Sequence, residues 1–578
     1  MTKRKGYATW RVWAVVAVLA IGLLVVVARL VQLQILNHDE YAEQARLTHV
    51  NQETLLDRRG ALLDRNGYPL AASEDSFDVL VEIKAWDDPV RAEEEARELA
   101  AITGGDWQEM VATVQSTDVF EVPVVEGLNY AQSELVKDLG FRGVRLLRSS
   151  HRVYPDGSLA TQLLGITGRD NVGLTGLEAD LNAILTGLQG SFVYERDALG
   201  NPLAIGDQSS VPAQPGANVV LTIDRYIQRL AERELEAAVK EHGASGGTII
   251  VVQPKTGEIL AMANRPAANL TNPDLSNESA LGLLRNRAIT DSYEPGSTFK
   301  LVTTAAALDA GLVSPGTWWD DTGQICADDY CISNWDFSAN GSQTVTQLLA
   351  KSLNTGAAWL SSILGPGRFY DYVYRFGFGS PTGVDLSGEV GGQVRTPTND
   401  PEGWRTVDIL TNSFGQGISA TPLQLAMAVA CIANDGLAMK PQILKEIAGA
   451  TSTTFEPESG QQVITRESAR TLLEMMGVVV DGIPDYLLDV QGYRVGGKTG
   501  TANIADGDGS YKDGAYISSF VGVAPLEDPQ LAILVKIDEP KDVPWGTVVA
   551  APAFGKIVQD ALAYLKVPPG TEAIVSAQ

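Results

Sequence analysis

Histidine is scarce in this sequence. The 578 residues include four histidines, and none of them follows His242. A catalytic triad with an imidazole base would therefore have to take that base from the amino-terminal part of the chain. The sequence also contains no repeat of fixed period, which disfavours solenoid architectures.

Cysteine is almost as rare, since the chain has three. This number excludes a fold built on a disulfide framework. Cys326 and Cys331 lie five residues apart and could form a bridge in an oxidising compartment, but the sequence leaves this open. A zinc site is disfavoured because neither a histidine nor a second cysteine pair lies nearby. Cys431 lies in the apolar run AMAVACIA, where a small buried residue is expected.

Basic residues are outnumbered. Lysine and arginine together number 44 and aspartate and glutamate 71, so the net charge is −27. An acidic surface repels phosphate backbones and stays soluble by self-repulsion, so nucleic acid is not expected as a partner. The length is too great for one compact core and predicts two or three folded units.

A single long apolar run opens the chain. Residues 12–28 are uncharged and mostly apolar, and residues 30–36 continue the run with two glutamines. This length can cross a bilayer. Four basic residues precede the run: Lys3, Arg4, Lys5 and Arg11. Their position predicts a cytoplasmic tail at 1–11, an anchor at 12–36 and an extracytoplasmic remainder. A cleaved signal peptide is disfavoured because no small-x-small site follows. A buried soluble helix is disfavoured because the run is apolar all round.

The middle of the chain alternates between element types. Residues 37–58 are predicted to form a polar helical stalk, and residues 58–71 two strands around a turn at 66–67. The Ser/Pro/Gly-rich break at 209–218 is the main candidate for a domain boundary.

The larger carboxy-terminal part has strands at both ends and helices between them. A helix is expected at 225–239, followed by a hairpin of 248–253 with 258–263. Three further strands are predicted near the end, at 493–502, 516–524 and 531–537. A final helix is predicted at 552–565. This order is typical of an α+β domain in which one antiparallel sheet packs against helices.

Ser297 and Lys300 are the first candidates for chemistry. They lie in EPGSTFK, three residues apart, and therefore share one face of the helix that this segment begins. A lysine can deprotonate a serine if burial and a neighbouring cation lower its pKa. Ser-x-x-Lys also occurs by chance about once in a chain of this length, and Ser297 could be only a helix cap.

Two further groups follow in the sequence. Ser352 and Asn354 could relay a proton and bind a peptide-like amide. Lys498, Thr499 and Thr501 offer a cation and two hydroxyls for a carboxylate, and the glycines at 496, 497 and 500 permit close approach of a ligand. The triplet Lys-Thr-Gly also occurs at residues 255–257, where it is interpreted as a hairpin turn.

Taken together and in this order, the groups resemble those of class B penicillin-binding proteins. The resemblance extends to RRGALLDRNGYPLA (58–71), RVYPDGSLATQLLGITG (152–168), GLEADLNAILTGLQG (176–190), TDSYEPGSTFK (290–300) and FGQGISATPLQLAMA (414–428). Similarity is greatest to the division-specific septal branch, and the elongation branch stays open. Gln253 and Asn503 differ from the residues common in the family, and neither change removes a group that transfers protons.

The resemblance implies a fold and an activity. It implies a penicillin-binding, serine β-lactamase-like transpeptidase domain with a five-stranded antiparallel sheet and helical layers, preceded by a membrane helix and an elongated mixed pedestal. The implied pedestal, transpeptidase domain and tail cover residues 37–210, 211–568 and 569–578. The implied enzyme is a D,D-transpeptidase that cross-links the stem peptides of peptidoglycan. Neither a metal nor an organic cofactor is implied.

The resemblance also implies a role for each site residue. Ser297 attacks the D-Ala-D-Ala carbonyl, and Lys300 is its general base. Ser352 and Lys498 help to move the proton, and Asn354 holds the substrate amide. The terminal carboxylate is bound by the strand residues Thr499, Gly500 and Thr501. The backbone N–H groups of Ser297 and Thr501 form the oxyanion hole.

The implied partners are stem peptides, β-lactams, a polytopic membrane glycosyltransferase and other division proteins. Arg59, Asp64 and Arg65 would join the pedestal to the catalytic domain. Three alternatives remain: a D,D-carboxypeptidase, a β-lactamase, and a non-catalytic scaffold or sensor that binds β-lactams. A sensor would need a cytoplasmic output domain, and the predicted cytoplasmic tail is short.

Overall fold

The protein is described by a computed structural model. Its description covers residues 9–41, 50–55, 57–117, 119–168, 170–195, 208–271, 273, 277–449, 451–506 and 510–570, with backbone only at 50–55. Two compact units divide the chain, one formed by residues 1–58 and 187–215 and the other by residues 59–186 and 216–578. The predicted domain boundary at residue 210 stays a prediction.

The first unit contains the predicted anchor. The helix Thr9–Val31 continues as the π-helix Gln32–Leu36, and none of its residues is buried. Among the described residues it is the one helix long and apolar enough to cross a membrane, with a mean hydropathy of 2.9. An apolar helix with no buried residue is compatible with a single-pass membrane anchor.

The prediction of a helical stalk at 37–58 is wrong for its end. Helix is present at 38–41, and Val50–Leu55 is a strand that pairs antiparallel with Gly190–Glu195; residues 42–49 lie outside the described residues. A third strand, Gln208–Val211, completes the sheet and occupies the start of the predicted break. The partner strand lies about 140 residues away in sequence, so local polarity could not indicate the pairing.

The second unit is built on a five-stranded antiparallel sheet. Its strands in spatial order are Ile259–Arg265, Gly246–Val252, Leu531–Asp538, Tyr511–Ala524 and Gly496–Ala505. The predicted hairpin, the three later strands and the final helix are confirmed within a few residues. The fold class is also confirmed: a penicillin-binding-type transpeptidase fold with an amino-terminal domain.

Helices cover both faces of this sheet. Alternate side chains of Gly246–Val252 enter two hydrophobic clusters: Ile249 and Val251 join one, and Ile250 and Val252 the other. This period of two is the strand geometry that buries both faces. The helices on the first face are Arg225–Glu241 and Ala551–Tyr564, and those on the second are Lys300–Asp309, Pro422–Ala433 and Arg466–Asp481.

The helix Pro422–Ala433 lies at the centre of the second layer. All twelve of its residues are buried, which explains why its sequence is apolar on every side. Thr421 and Gln424 form a capping box that fixes its start. Cys431 is buried and free within this helix, as predicted.

A mixed sheet links residues 59–186 to the catalytic part of the same unit. Leu62–Leu63 pairs parallel with Asn218–Leu221 and antiparallel with Pro69–Glu82. The remaining strands of this sheet are Glu121–Leu128, Val144–Val153, Leu444–Ala448 and Thr453–Thr454.

Buried ion pairs hold this region together. Arg59 and Arg152 each donate to the Glu178 carboxylate at 2.7 Å, and all three side chains are buried. Arg65 pairs with Glu258 at 3.2 Å, across to the catalytic part. Loss of one partner would leave an uncompensated buried charge, so these pairs are structural.

Arg65 joins the pedestal to the catalytic part as predicted, and so does Asp64, whose carboxylate accepts from the Arg225 N–H at 3.2 Å. Arg59 instead bonds only to partners at 171–186 among the described residues, so its contacts lie within the pedestal.

Shorter elements complete the second unit. The helices are Pro89–Thr103, Trp107–Gln115, Tyr130–Asp138, Thr161–Leu164, Gly176–Asp180, Asn182–Leu185, Glu278–Gly282, Arg287–Thr290, Val345–Ala350, Asn354–Arg375 (interrupted at Gly365), Thr406–Asn412 and Gly546–Val549, with 3-10 turns at Ile83–Trp86 and Gly296–Phe299. The hairpin strands are Trp318–Asp321 with Gly341–Thr344, Gln324–Ala327 with Tyr330–Ser333, and Leu437–Met439 with Ser459–Gln462.

Candidate active site

Lys300 is the centre of a tight polar cluster. Its Nζ lies 3.0 Å from Ser297 Oγ, 2.6 Å from the Ser352 carbonyl oxygen and 3.2 Å from Ser352 Oγ. It also lies 2.8 Å from Asn354 Oδ1, and the whole lysine side chain is buried. The structure therefore brings together four residues that the sequence separates by up to 57 positions.

Burial changes the acidity of two lysines here. Burial lowers the pKa of Lys300 well below its ordinary value, and the nearby charge of Lys498 lowers it further. Burial also lowers the pKa of Lys498, to about 7. The positive charge of Lys498 thus disfavours the protonated form of Lys300, in addition to the larger effect of burial. A neutral Lys300 amine, 3.0 Å from the hydroxyl, has the geometry of a general base.

A sharp turn presents Ser297. Gly296 has a φ of +58°, and a Cβ there would lie 2.9 Å from the Thr501 carbonyl oxygen. Its N–H donates to the Gly415 carbonyl oxygen at 3.1 Å. Gly415, with a φ of +80°, would in turn place a Cβ 2.4 Å from the Gly296 carbonyl oxygen. Glycine is therefore required on both sides of the turn, and the close packing fixes the position of the serine.

Ser352 adopts a left-handed backbone conformation, with a φ of +55°. Such a conformation is uncommon for a residue other than glycine and costs free energy, so the surrounding structure must hold it. It directs both the carbonyl and the hydroxyl of Ser352 at Lys300. Asn354 begins the helix Asn354–Arg375, and its Nδ2 donates to the Ser333 carbonyl oxygen at 3.2 Å, which orients the amide.

The strand Gly496–Ala505 forms the opposite wall. Lys498 is buried, whereas Thr499 and Thr501 are half-buried, as strand alternation requires. A Cβ on Gly500 would lie 2.9 Å from Thr298 Cγ2 and 2.4 Å from Ser519 Oγ. Glycine at 500 thus allows the strand to approach the Ser297 turn, a protein contact where the sequence suggested approach by a ligand.

Lys498 and Ser352 are not joined by a hydrogen bond among the described residues. The Lys498 Nζ instead donates to the Thr499 carbonyl oxygen at 3.0 Å. The Thr501 hydroxyl donates to the Pro544 carbonyl oxygen at 3.2 Å. The predicted proton path from Ser352 to Lys498 therefore needs a further group, such as substrate, to connect them.

Comparison with known proteins identifies the family. A profile described as "Penicillin binding protein transpeptidase domain" matches residues 247–559, and one described as "Penicillin-binding Protein dimerisation domain" matches residues 56–221. This chain belongs to the class B penicillin-binding proteins. It is 35% identical to stage V sporulation protein D of Bacillus subtilis over 520 residues, covering 88% of this chain and 79% of that protein. It is 30% identical to peptidoglycan D,D-transpeptidase FtsI of Escherichia coli K12 over 582 residues, covering 97% of this chain and 93% of that protein.

Solved penicillin-binding proteins share the fold. Penicillin binding protein 2X from Streptococcus thermophilus aligns with a TM-score of 0.72 at 26% identity, covering 89% of this chain and 80% of that one. Penicillin binding protein 3 from Mycobacterium tuberculosis, solved with aztreonam, aligns with a TM-score of 0.69 at 28% identity, covering 90% of this chain and 98% of that one. The recognition made from sequence motifs is confirmed.

A disulfide lies next to the active site of this penicillin-binding protein. Cys326 and Cys331 are cross-strand partners in the hairpin that ends at Ser333, and they are bonded. The sequence had left this bond open. The hairpin matters because Ser333 supplies the carbonyl oxygen that holds Asn354.

Asp321 supports the same wall from behind. Its buried carboxylate accepts from Thr355 Oγ1 and Asn334 Nδ2, both at 2.9 Å. Thr355 follows Asn354 directly in the helix, so the network fixes the start of that helix. Sequence reasoning missed Asp321 because one aspartate among several in this acidic stretch gives no periodic signal, although it ends the strand Trp318–Asp321.

Two tryptophans that follow the two walls of the site in sequence contact each other, and these were also missed. Trp335 and Trp545 meet edge to face with centroids 5.4 Å apart, although both remain exposed. Trp335 follows the disulfide hairpin, and Trp545 follows Pro544, which accepts the hydrogen bond of Thr501. The pair therefore joins the two walls, a contact between residues 210 positions apart that no local pattern indicates.

Proposed function

We propose that this protein is a peptidoglycan D,D-transpeptidase that cross-links stem peptides through an acyl-enzyme on Ser297. The observation that carries the proposal is the buried Lys300 amine, 3.0 Å from the Ser297 hydroxyl and beside a second lysine. The names of the relatives, including FtsI of Escherichia coli, agree with it.

Acylation begins when neutral Lys300 takes the proton of Ser297. The oxygen attacks the carbonyl carbon of the penultimate D-alanine, and the backbone N–H groups of Ser297 and Thr501 stabilise the oxyanion, at roughly 3 kcal/mol for each donor. The C–N bond then breaks, and D-alanine leaves with the proton returned through Lys300 and the Ser352 hydroxyl. Asn354 binds the substrate amide, since its second Nδ2 hydrogen is not used by Ser333.

The opposite wall binds the terminal carboxylate. Thr499 offers a hydroxyl on the strand, the Thr501 hydroxyl turns from the Pro544 carbonyl oxygen to the carboxylate when substrate binds, and Lys498 adds a charge behind them. A β-lactam carries a carboxylate next to a strained amide, so it enters the same site and acylates Ser297. The ester is then broken by an amine of a second stem peptide.

The hydrolase alternatives need a base for water. Among the described residues, no carboxylate forms a hydrogen bond with Ser297, Lys300 or Ser352. This favours transfer to an amine over hydrolysis by a carboxypeptidase or β-lactamase.

Further parts of the proposal concern location and partners. The chain is anchored by its amino-terminal helix, with the basic tail in the cytoplasm and the catalytic unit outside. The disulfide agrees with an oxidising compartment. We assign it to septal wall synthesis, with a polytopic glycosyltransferase as partner, on the resemblance of its R-x-Y-P and TDSYEPGSTFK segments to the septal branch.

Labelling with a fluorescent penicillin tests the nucleophile. Ser297→Ala should abolish labelling because it removes the attacking oxygen, while the thermal melting profile stays near that of the wild type. Ser362→Ala, at an exposed serine of the helix Asn354–Arg375, is the matched control and should label fully. Persistent covalent labelling of Ser297→Ala would place the nucleophile elsewhere.

A further inference from the structure

A second cleft opens beside the nucleophile and has no part in the acylation described above. Its volume is about 460 Å³. One wall is the segment 292–294 that leads to the Ser297 turn, another is Gly417–Ser419, and the third is Asn503–Ala505, which continues the strand of Thr501.

The cleft lies on the side of the active site from which the departing D-alanine leaves. Thr501 is assigned to the carboxylate of the departing D-alanine, and Asn503 lies two residues further on the same side of the strand. By microscopic reversibility, an amine that replaces D-alanine at the acyl carbon approaches from the side on which D-alanine left. The cleft therefore lies where the acceptor must enter.

An anionic group is fixed in this cleft. The Glu294 carboxylate accepts hydrogen bonds from the Gly417 N–H at 2.8 Å and from the Tyr511 hydroxyl at 2.9 Å. No basic side chain is among these partners, so the carboxylate keeps acceptor capacity for an incoming ammonium group. Burial raises the pKa of Glu294, which also makes it a better proton acceptor than an exposed carboxylate.

A cationic group lines the same cleft. Arg395 is 43% exposed, and its guanidinium lies 4.0 Å from the Asp408 carboxylate, the outer limit of an ion pair. A guanidinium has five N–H donors and can bind a second carboxylate in bidentate fashion. The cleft thus offers one fixed anion and one accessible cation.

We propose that this cleft binds the acceptor stem peptide, with Glu294 holding the attacking amine and Arg395 a carboxylate near that amine. This inference rests on the proposed transpeptidase function. The acceptor class that fits is an amine with a free carboxylate close to it, as in diaminopimelic acid, rather than lysine or an amidated side chain.

The transfer step balances with the groups present. The acceptor ammonium gives one proton to Glu294, and the neutral amine attacks the ester carbon of the acyl-enzyme. The C–N bond forms and the C–Oγ bond to Ser297 breaks. A second amine proton passes through Lys300 to Ser297 Oγ, which regenerates the hydroxyl.

The test separates transfer from acylation in the full-length protein. The acyl donor is a D-Ala-D-lactate peptide ester, and the two acceptors are a diaminopimelate tripeptide and the same tripeptide with the side-chain carboxylate amidated. Hydrolysis and transfer products are measured together, and penicillin acylation is measured separately.

Each variant has its own expected result. Glu294→Gln should lower the ratio of transfer to hydrolysis about tenfold with both acceptors, the value of one charge-assisted hydrogen bond. Arg395→Gln should raise the KM of the free-carboxylate acceptor about tenfold and leave the amidated acceptor unchanged. Both should acylate with penicillin at the wild-type rate. Arg494→Gln, an exposed arginine just before the same strand, is the matched control and should change nothing.

Other outcomes overturn the inference. Unchanged transfer ratios in both variants would exclude the cleft as an acceptor site. Equal losses of penicillin acylation and transfer would assign Glu294 a structural role, and equal effects of Arg395→Gln on both acceptors would exclude carboxylate recognition. Arg395 is exposed, so that variant keeps the test decisive if Glu294→Gln does not fold. A wild-type protein that acylates but only hydrolyses the donor would instead refute the transpeptidase function itself.

Discussion

The chain contains the triplet Lys-Thr-Gly twice, and the two copies differ in almost every physical property. Lys498 is buried with its pKa lowered to about 7, and its strand packs on the Ser297 turn. Lys255 is exposed and pairs with Asp528 at 2.6 Å, in the hairpin turn before Ile259–Arg265. The interpretation of residues 255–257 as a turn is confirmed, since Gly257 has a φ of +74°.

This comparison shows that the chemistry comes from surroundings rather than from the triplet. An exposed lysine keeps its proton and its hydration, whereas a fully buried lysine loses both readily. The same three residues are therefore a turn in one place and a candidate catalytic wall in another.

The largest expected difference between the copies is in acylation. Lys498→Ala should slow acylation by penicillin about 100-fold, because it removes a buried charge beside the reacting groups. Lys255→Ala should stay within about twofold of the wild type, since an exposed ion pair contributes little. Stopped-flow measurement of the acylation rate constant checks both, and equal rates in the two variants would remove the distinction.

Substitution of the third residue of each triplet should affect stability in one copy and acylation in the other. Gly257→Ala forces a positive φ on a residue with a Cβ and places that Cβ 2.3 Å from the Lys440 carbonyl oxygen. It should destabilise the fold by about 1–2 kcal/mol or more, while the folded protein still acylates. Gly500→Ala should slow acylation instead, because its Cβ pushes against Thr298 beside the nucleophile.

Thermal melting and penicillin acylation, measured on the same samples, check this pair. A Gly500→Ala protein that melts early but acylates normally once folded would contradict the assignment of that glycine to the site.

The smallest expected effect on acylation comes from loss of the Cys326–Cys331 disulfide. This bond lies beside the site of Lys498, and the Lys-Thr-Gly copy at residues 255–257 has no such bond. Cys326→Ser with Cys331→Ser should lower acylation only about twofold to fivefold, because Ser333 keeps its place through the strand while Asn354 loses some rigidity. Acylation in the presence and absence of a reductant checks the wild type, and Cys431 is buried and should not interfere. A complete loss of activity would mean that the bond itself maintains the site.

Sequence could predict those parts of the protein in which short patterns carry the constraint. The five-stranded sheet follows from apolar runs bounded by turns, and Ser297, Lys300, Ser352 and Asn354 were selected by their order before the structure brought them together. Their catalytic roles stay a prediction.

What sequence could not predict depends on contacts between distant residues. Val50–Leu55 was expected to belong to a polar helical stalk, yet it pairs with a strand far along the chain. Trp335 meets Trp545, and Asp321 supports Thr355, only after folding. Burial and a neighbouring cation were expected to lower the pKa of this lysine, Lys300; the structure shows that burial is the larger cause and that Lys498 supplies the cation.

The central claim is that Lys300 is neutral when it deprotonates Ser297, and the pH dependence of acylation tests it most directly. The rate should rise with pH as Lys300 loses its proton, and the rise should be complete well below the ordinary pKa of lysine, 10.5. Lys498→Ala removes a neighbouring positive charge, so the pKa of Lys300 should increase and the rise should move to higher pH. A wild-type rate that rises only near pH 10, or a rise that stays in place in Lys498→Ala, would contradict the account.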